Sequence, residues 1–286
     1  ANNTVKGLII NGFIPNPQEG FGIRLYGPGT TGNTITKNYI GTNFNATAAG
    51  GDSTTNNRGG GIVLQGGASK NTIDGNIIAG NGGYGIYLYD SVFLEQPNRQ
   101  LANVIKNNYI GVAADGASQL RNWNDGIYVG DNSIGTVIGP NNLISANGSP
   151  NTETSFGVNI GGYLGDNTAY ITGTLVIGNK IGTNAAGTAD LGNADSGIFL
   201  WENDTFTNSS IIIGSDTDIF RSVIPRLKIA TIMPRVATIT AAVIFETSFS
   251  MGKNTIPRIA STIAVAITAK YRQFGLDLML ESVDLF

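Results

Sequence analysis

One four-residue phrase, Gly-Ile-x-Leu or a close variant, recurs six times between Gly22 and Leu200. The copies begin at Gly22, Gly61, Gly85, Gly126, Gly157 and Gly197, at intervals of 39, 24, 41, 31 and 40 residues. Self-similarity at a spacing of a few tens of residues means that one small unit is stacked many times. Each unit buries its apolar face only against its neighbours. A chain with this recurrence is expected to grow along one axis, so its length says little about domain count.

Within a unit the apolar residues alternate. In Gly85-Ile86-Tyr87-Leu88-Tyr89, Ile86 and Leu88 share one side and Tyr87 and Tyr89 the other, the period of a half-buried strand. The preceding stretch supplies Asn71-Thr72-Ile73 and then Asn76-Ile77-Ile78, so three short strands separated by Gly/Asn corners form one turn. Both residue types tolerate the left-handed backbone of a sharp corner. Asn38, Asn76, Asn108, Asn142 and Asn179 recur just before the second strand, which predicts a column of side-chain amides bonding from turn to turn. Longer inserts follow Ile40, Ile110 and Ile181 and are expected on one flank, roughly 10 Å apart as two strand spacings.

The combined pattern of Asn-Thr-Ile, Asn-x-Ile-Gly-Thr-Asn and Gly-Ile-x-Leu resembles the right-handed parallel β-helix repeat of secreted and surface-attached bacterial proteins, over about residues 1–214. The resemblance implies an all-β fold, a single-stranded parallel β-helix with three short strands per coil. It also implies an extracellular or cell-surface setting. That coil carries lyases, epimerases, phage tailspikes and adhesins alike, so it does not name an activity.

Composition excludes much chemistry. The chain has no cysteine and no histidine, which removes disulfides, thiolate or imidazole metal sites and the Ser-His-Asp machinery. No apolar run approaches the roughly 18–20 residues of a membrane span. The chain opens on Ala-Asn-Asn with no leader pattern, as in a processed secreted protein or a trimmed one.

Charge divides the chain. Residues 1–219 hold 9 Lys/Arg against 16 Asp/Glu, and residues 220–286 hold 8 against 4. Thirty-eight of the 40 glycines lie in the first part. Two regions are therefore expected, repeats over 1–219 and a different β-rich segment over 220–286. The second contains the β-branched runs Val236–Phe245 and Ile259–Thr268, which read as buried or paired strands. It either caps the coil or pairs with a neighbouring subunit, since an open coil end is a strand edge in search of a partner. An acidic body without a basic stripe argues against nucleic acid.

Strand parity sends the third and fifth residues of each Gly-Ile-x-Leu outward. That places Tyr26, Tyr87, Tyr89, Tyr128, Phe199 and Trp201 on one face, a candidate surface for a polysaccharide or a partner protein. The same parity sends Arg24, Val63 and Asn159 outward. Just beyond the strand, Asp90, Asp131 and Glu202 recur, with Asp125, Asp195 and Asp204 close in sequence. Asp90 and Asp131 on successive coils would lie about 5 Å apart, a spacing that suits a shared Ca²⁺ or a retaining carboxylate pair. The lyase and epimerase relatives implied by the resemblance need more than this. Arg24, the base in these outward columns, is about three coils from the acids, and the epimerase signature ends in a histidine that this chain lacks.

The expected function is that of an extracellular structural or adhesive β-solenoid, self-associating through its C-terminal segment into filaments. The alternatives are a polysaccharide lyase or glycosidase using Asp90, Asp131 and Glu202, and a non-catalytic glycan-binding module.

Overall fold

A computed structural model describes residues 2–14, 19–52, 54–89, 100–130, 132–149, 154–161, 170–201, 207–209, 212–214, 241–245 and 263–267. All the regular elements among them are strands. Three parallel sheets run the length of the coil. The first stacks Thr4–Lys6, Thr34–Thr36, Thr72–Asp74, Val104–Lys106, Val137–Ile138, Leu175–Ile177 and Ile212–Gly214. The second stacks Ile9–Ile10, Tyr39–Ile40, Ile77–Ile78, Tyr109–Ile110, Leu143–Ile144 and Lys180–Ile181. The third stacks Phe21–Tyr26, Gly60–Gln65, Tyr84–Leu88, Ile127–Val129, Val158–Ile160 and Ile198–Leu200. A fourth, shorter sheet of Gln100–Leu101, Ser133–Ile134, Tyr170–Thr172 and Thr207–Ser209 joins the later coils. Earlier in the chain its place is taken by a single bridge between Thr31 and Ser69.

Register explains the core. Ile35, Ile73, Ile105, Ile138 and Val176 are direct partners, as are Ile40, Ile78, Ile110, Ile144 and Ile181. Ile62, Ile86, Ile127, Val158 and Ile198 form the third row. All of these except the half-buried Ile181 are shut off from solvent. Each such side chain contributes roughly 1.5–3 kcal/mol relative to exposure.

The glycines of the recurring phrase answer to space rather than to backbone freedom. A Cβ on Gly61 would meet the Gly85 carbonyl oxygen at 2.7 Å and Ile78 Cγ2 at 2.6 Å. One on Gly126 would meet the Gly157 oxygen at 2.7 Å and Ile144 Cγ2 at 2.8 Å. Coil-to-coil approach at this corner leaves no room for a side chain. Positive φ falls elsewhere, on the residues just before the asparagine column, such as Lys37 (53°), Gly75 (67°), Asn107 (57°) and Asn141 (65°).

Three asparagine ladders run along the coil where the sequence suggested one. The expected column is present from Asn38 to Asn179. In it each backbone N–H and side-chain Nδ2 donates to the Oδ1 of the next coil's asparagine, as Asn76 does to Asn108 at 2.9 and 3.0 Å. A second ladder joins Asn3, Asn33, Asn71 and Asn103. A third joins Asn57, Asn81, Asn122, Asn147 and Asn193. Stacking amides in register satisfies buried polar groups that a sharp corner would otherwise orphan.

The inserts depart from expectation. They are not two strand spacings apart but in direct contact. The Ala114 N–H donates to the Ala46 carbonyl at 3.0 Å and the Ala185 N–H to the Gly116 carbonyl at 2.8 Å. Each insert is a small antiparallel loop closed by the bridges Thr42 to Ala49, Val112 to Gln119 and Thr183 to Asp190. The loops lean together over the short coils between them and make one continuous flank.

Beyond residue 214 the described elements are Ala241–Phe245 and Ile263–Ile267, which pair antiparallel with Val243 opposite Val265. They fall inside the two β-branched runs. Ala241–Phe245 lies against Ile212–Gly214, the last strand of the first sheet; the rest of 220–286 lies outside the described residues, apart from Ile263–Ile267.

Candidate functional site

The outer face of the third sheet carries the one concentration of rings in the described residues. Its strands alternate, so the residues between the buried Ile/Leu positions point outward, and the residue before each glycine joins them on that side. Tyr87 is the hub. Its ring stacks on Tyr84 at 4.5 Å and on Tyr89 at 5.4 Å, lies 6.2 Å from Phe21 and meets Tyr128 at 5.1 Å. Farther along, Phe156 stacks on Phe199 at 4.3 Å. Such pairs add about 0.5–1.5 kcal/mol each beyond area burial.

This face is less open than the alternation suggested. Val63 and Asn159 are buried outright. The prediction for Tyr128 needs correction: it is 7% exposed, and its hydroxyl donates to the Gly161 carbonyl at 2.8 Å, so its ring and its polar tip both serve the coil. Packing by Tyr84 and Tyr87 covers it. Tyr87, Tyr89, Phe199 and Trp201 are half-buried. The Trp201 indole lies in the space that a side chain at Gly161 would fill. Tyr26 is 60% exposed, with the Arg24 guanidinium carbon 5.5 Å from its ring centre.

Among these rings sits a carboxyl group. Asp125 occupies the position before Gly126 and is 5% exposed. Its Oδ1 accepts the Phe156 N–H at 2.7 Å and its Oδ2 accepts from Asn159 Nδ2 at 3.0 Å. Burial pushes its pKa up to about 6, against the opposing pull of the Asn159 and Phe156 hydrogen bonds. Tyr84, in the same column one coil earlier, is pushed up to about 12 by its own burial and then by the charge on Asp125. Sequence reasoning noted Asp125 but gave it no role, and it missed Tyr84. The signal was available: the column before each glycine reads Phe21, Gly60, Tyr84, Asp125, Phe156 and Ser196, with aromatic neighbours on either side of one acid.

The predicted acids Asp90, Asp131 and Glu202, with the Ca²⁺ site assigned to the first two, lie outside the described residues. Among the described residues no group of three or more acidic side chains is placed to hold a metal ion. Asp52 and Asp115 are exposed loop acids held below the usual carboxylate range by local hydrogen bonds. Thr54 holds Asp52 at about 2, and Ser118 is the main partner of Asp115. Both close turns. Asp195 accepts from the neighbouring Ser196 hydroxyl at 2.9 Å. Among the described residues, the site offers ring contact and one buried carboxyl group, that of Asp125.

A family model described as a right-handed β-helix region matches residues 1–211. The chain belongs to this family. The match ends within a few residues of the last strand of the first sheet. No curated protein and no solved structure matches the chain at significance. Membership in the right-handed β-helix family fixes the hand of the coil and the all-strand architecture. No helix among the described residues is long and apolar enough to cross a membrane.

Proposed function

We propose that this β-helix is an extracellular structural element that makes non-catalytic contacts with glycan or protein through its third sheet. What supports the reading most is the use to which its polar and aromatic side chains are put. Three amide ladders hold the coil corners, and the rings of the outer face stack on one another in a row. A surface organised this way is stiff and pre-shaped, which lowers the ordering cost of binding an extended, repeating ligand. The open sides of Tyr26, Tyr87, Tyr89, Phe199 and Trp201 offer flat apolar contact at low entropic cost.

The test is a glycan array together with a product assay on acidic and neutral polysaccharides. Binding that falls at least tenfold in Tyr87→Ala and Trp201→Ala, with no bond cleavage, is the expected result. Turnover of a polysaccharide that disappears in Asp131→Asn would overturn it in favour of a lyase or glycosidase.

A further inference from the structure

The first and third inserts close in the same way, and their comparison isolates a residue that closure does not use. In the first, Asn43 Oδ1 accepts from the Thr47 N–H at 3.0 Å and the Ala48 N–H at 3.3 Å, and Asn43 Nδ2 donates to Thr47 Oγ1 at 3.2 Å. In the third, Asn184 Oδ1 accepts from the Thr188 and Ala189 N–H groups at 2.9 and 3.3 Å, and Asn184 Nδ2 donates to Thr188 Oγ1 at 3.2 Å. At the tip between them the third insert has Ala186 where the first has Asn45. Closure therefore does not need Asn45, yet Thr47 Oγ1 also donates to Asn45 Oδ1 at 2.7 Å.

Asn45-Ala46-Thr47 has the form Asn-x-Ser/Thr, the triplet that carries N-linked glycans on surface loops of secreted proteins. So short a triplet recurs by chance, and its setting decides. Asn45 and Thr47 are both exposed. Their exposure does not hinge on what lies below the first insert. Asp115 and Ala117, the corresponding residues of the second insert, are exposed although an insert packs on either side of it. No described residue accepts from Asn45 Nδ2, the nitrogen that a glycan would take. Asn147-Gly148-Ser149 has the same form and the opposite setting. Asn147 is fully buried, and its Nδ2 donates to the Ile110 and Ser145 carbonyls and to Asn193 Oδ1.

We propose that Asn45 is an acceptor for an N-linked oligosaccharide on the folded chain, whereas the ladder shields Asn147. Transfer forms a bond between Asn45 Nδ2 and C1 of the first sugar of a polyprenyl-diphosphate-linked oligosaccharide. The bond from C1 to the diphosphate oxygen breaks, polyprenyl diphosphate leaves with the electron pair, and the amide gives up one proton. The modification rests on the extracellular setting of the function proposed above, and not on its third-sheet contacts.

The folded chain is incubated with a purified oligosaccharyltransferase and a lipid-linked oligosaccharide, and its glycopeptides are mapped by mass, a readout independent of where the chain resides. The expected result is a glycan on Asn45 that is lost in Asn45→Gln and Thr47→Ala and kept in Thr47→Ser. Asn147 gains one only when the chain is denatured first. A folded wild-type chain that stays unmodified at Asn45 overturns the proposal. So does a folded chain in which Asn147 is modified as fully as Asn45.

Discussion

Asn159 Nδ2 donates to Asp125 Oδ2 at 3.0 Å, tying one coil to the next at a point where both side chains are buried, while Asn159 Oδ1 is left without a partner. The carboxylate is thus held by donors but only partly compensated for leaving water, and burial prevails in setting its proton affinity.

Acid should therefore favour the coil at this point. With a folded pKa of about 6 against an ordinary value of 3.8, the stabilising contribution is complete below pH ~4 and is lost as pH rises through 6. The difference is worth at most about 3 kcal/mol. Urea denaturation of wild type and Asp125→Asn between pH 4 and pH 7 checks this. The gap between them should shift in favour of the variant across that window, and parallel curves would refute the assignment.

Breaking a ladder in its middle should cost more than trimming an exposed amide. Asn108 accepts from Asn76 and donates to Ile73, Lys106 and Asn142. Asn108→Ala strands several buried groups, so a loss of about 3 kcal/mol or more is expected. Asn45→Ala, on an exposed loop, should stay within about 0.5 kcal/mol. Equilibrium unfolding of both variants measures the contrast.

Two kinds of glycine should separate cleanly. Gly75 has φ of +67° and open space, so Gly75→Ala should cost about 1–2 kcal/mol through backbone strain alone. Gly85 lacks positive φ, but a Cβ there would press on the Gly126 carbonyl and on Ile110 Cγ2. Gly85→Ala should cost more, at about 3 kcal/mol, because backbone must move. Thermal melts of the pair rank them, and equal losses would count against crowding as the reason for the recurring phrase.

One ladder can be lengthened. Thr136 and Thr174 continue the column of Asn103, are fully buried, and have hydroxyls with no partner. Thr136→Asn restores an Oδ1 where the Asn103 N–H can reach it. A gain of about 1 kcal/mol in unfolding free energy is the expected outcome.

The sequence made the coil legible because its strongest signals are periodic. Ile35, Ile73 and Ile105 announce their stacking by recurrence alone. The column beginning at Asn38 was equally plain, whereas those through Asn33 and Asn57 were hidden by inserts of unequal length and by threonine at positions 136 and 174. The site was less legible. Alternation predicts which way Tyr128 points, but not that neighbouring rings close over it. It says nothing of Asp125, whose character comes from burial and from Asn159 and Phe156 on the next coil rather than from its own neighbours in sequence. The inserts misled for a similar reason: spacing along the axis gives the roots of the loops and not their lean.

The ladders have a direction. At every described step the donors belong to the earlier coil and the accepting oxygen to the later one, as from Asn33 to Asn71 and from Asn81 to Asn122. Each turn's corner donors thus find their ladder oxygens on the turn that follows in the chain, so every ladder is polar from its first rung to its last.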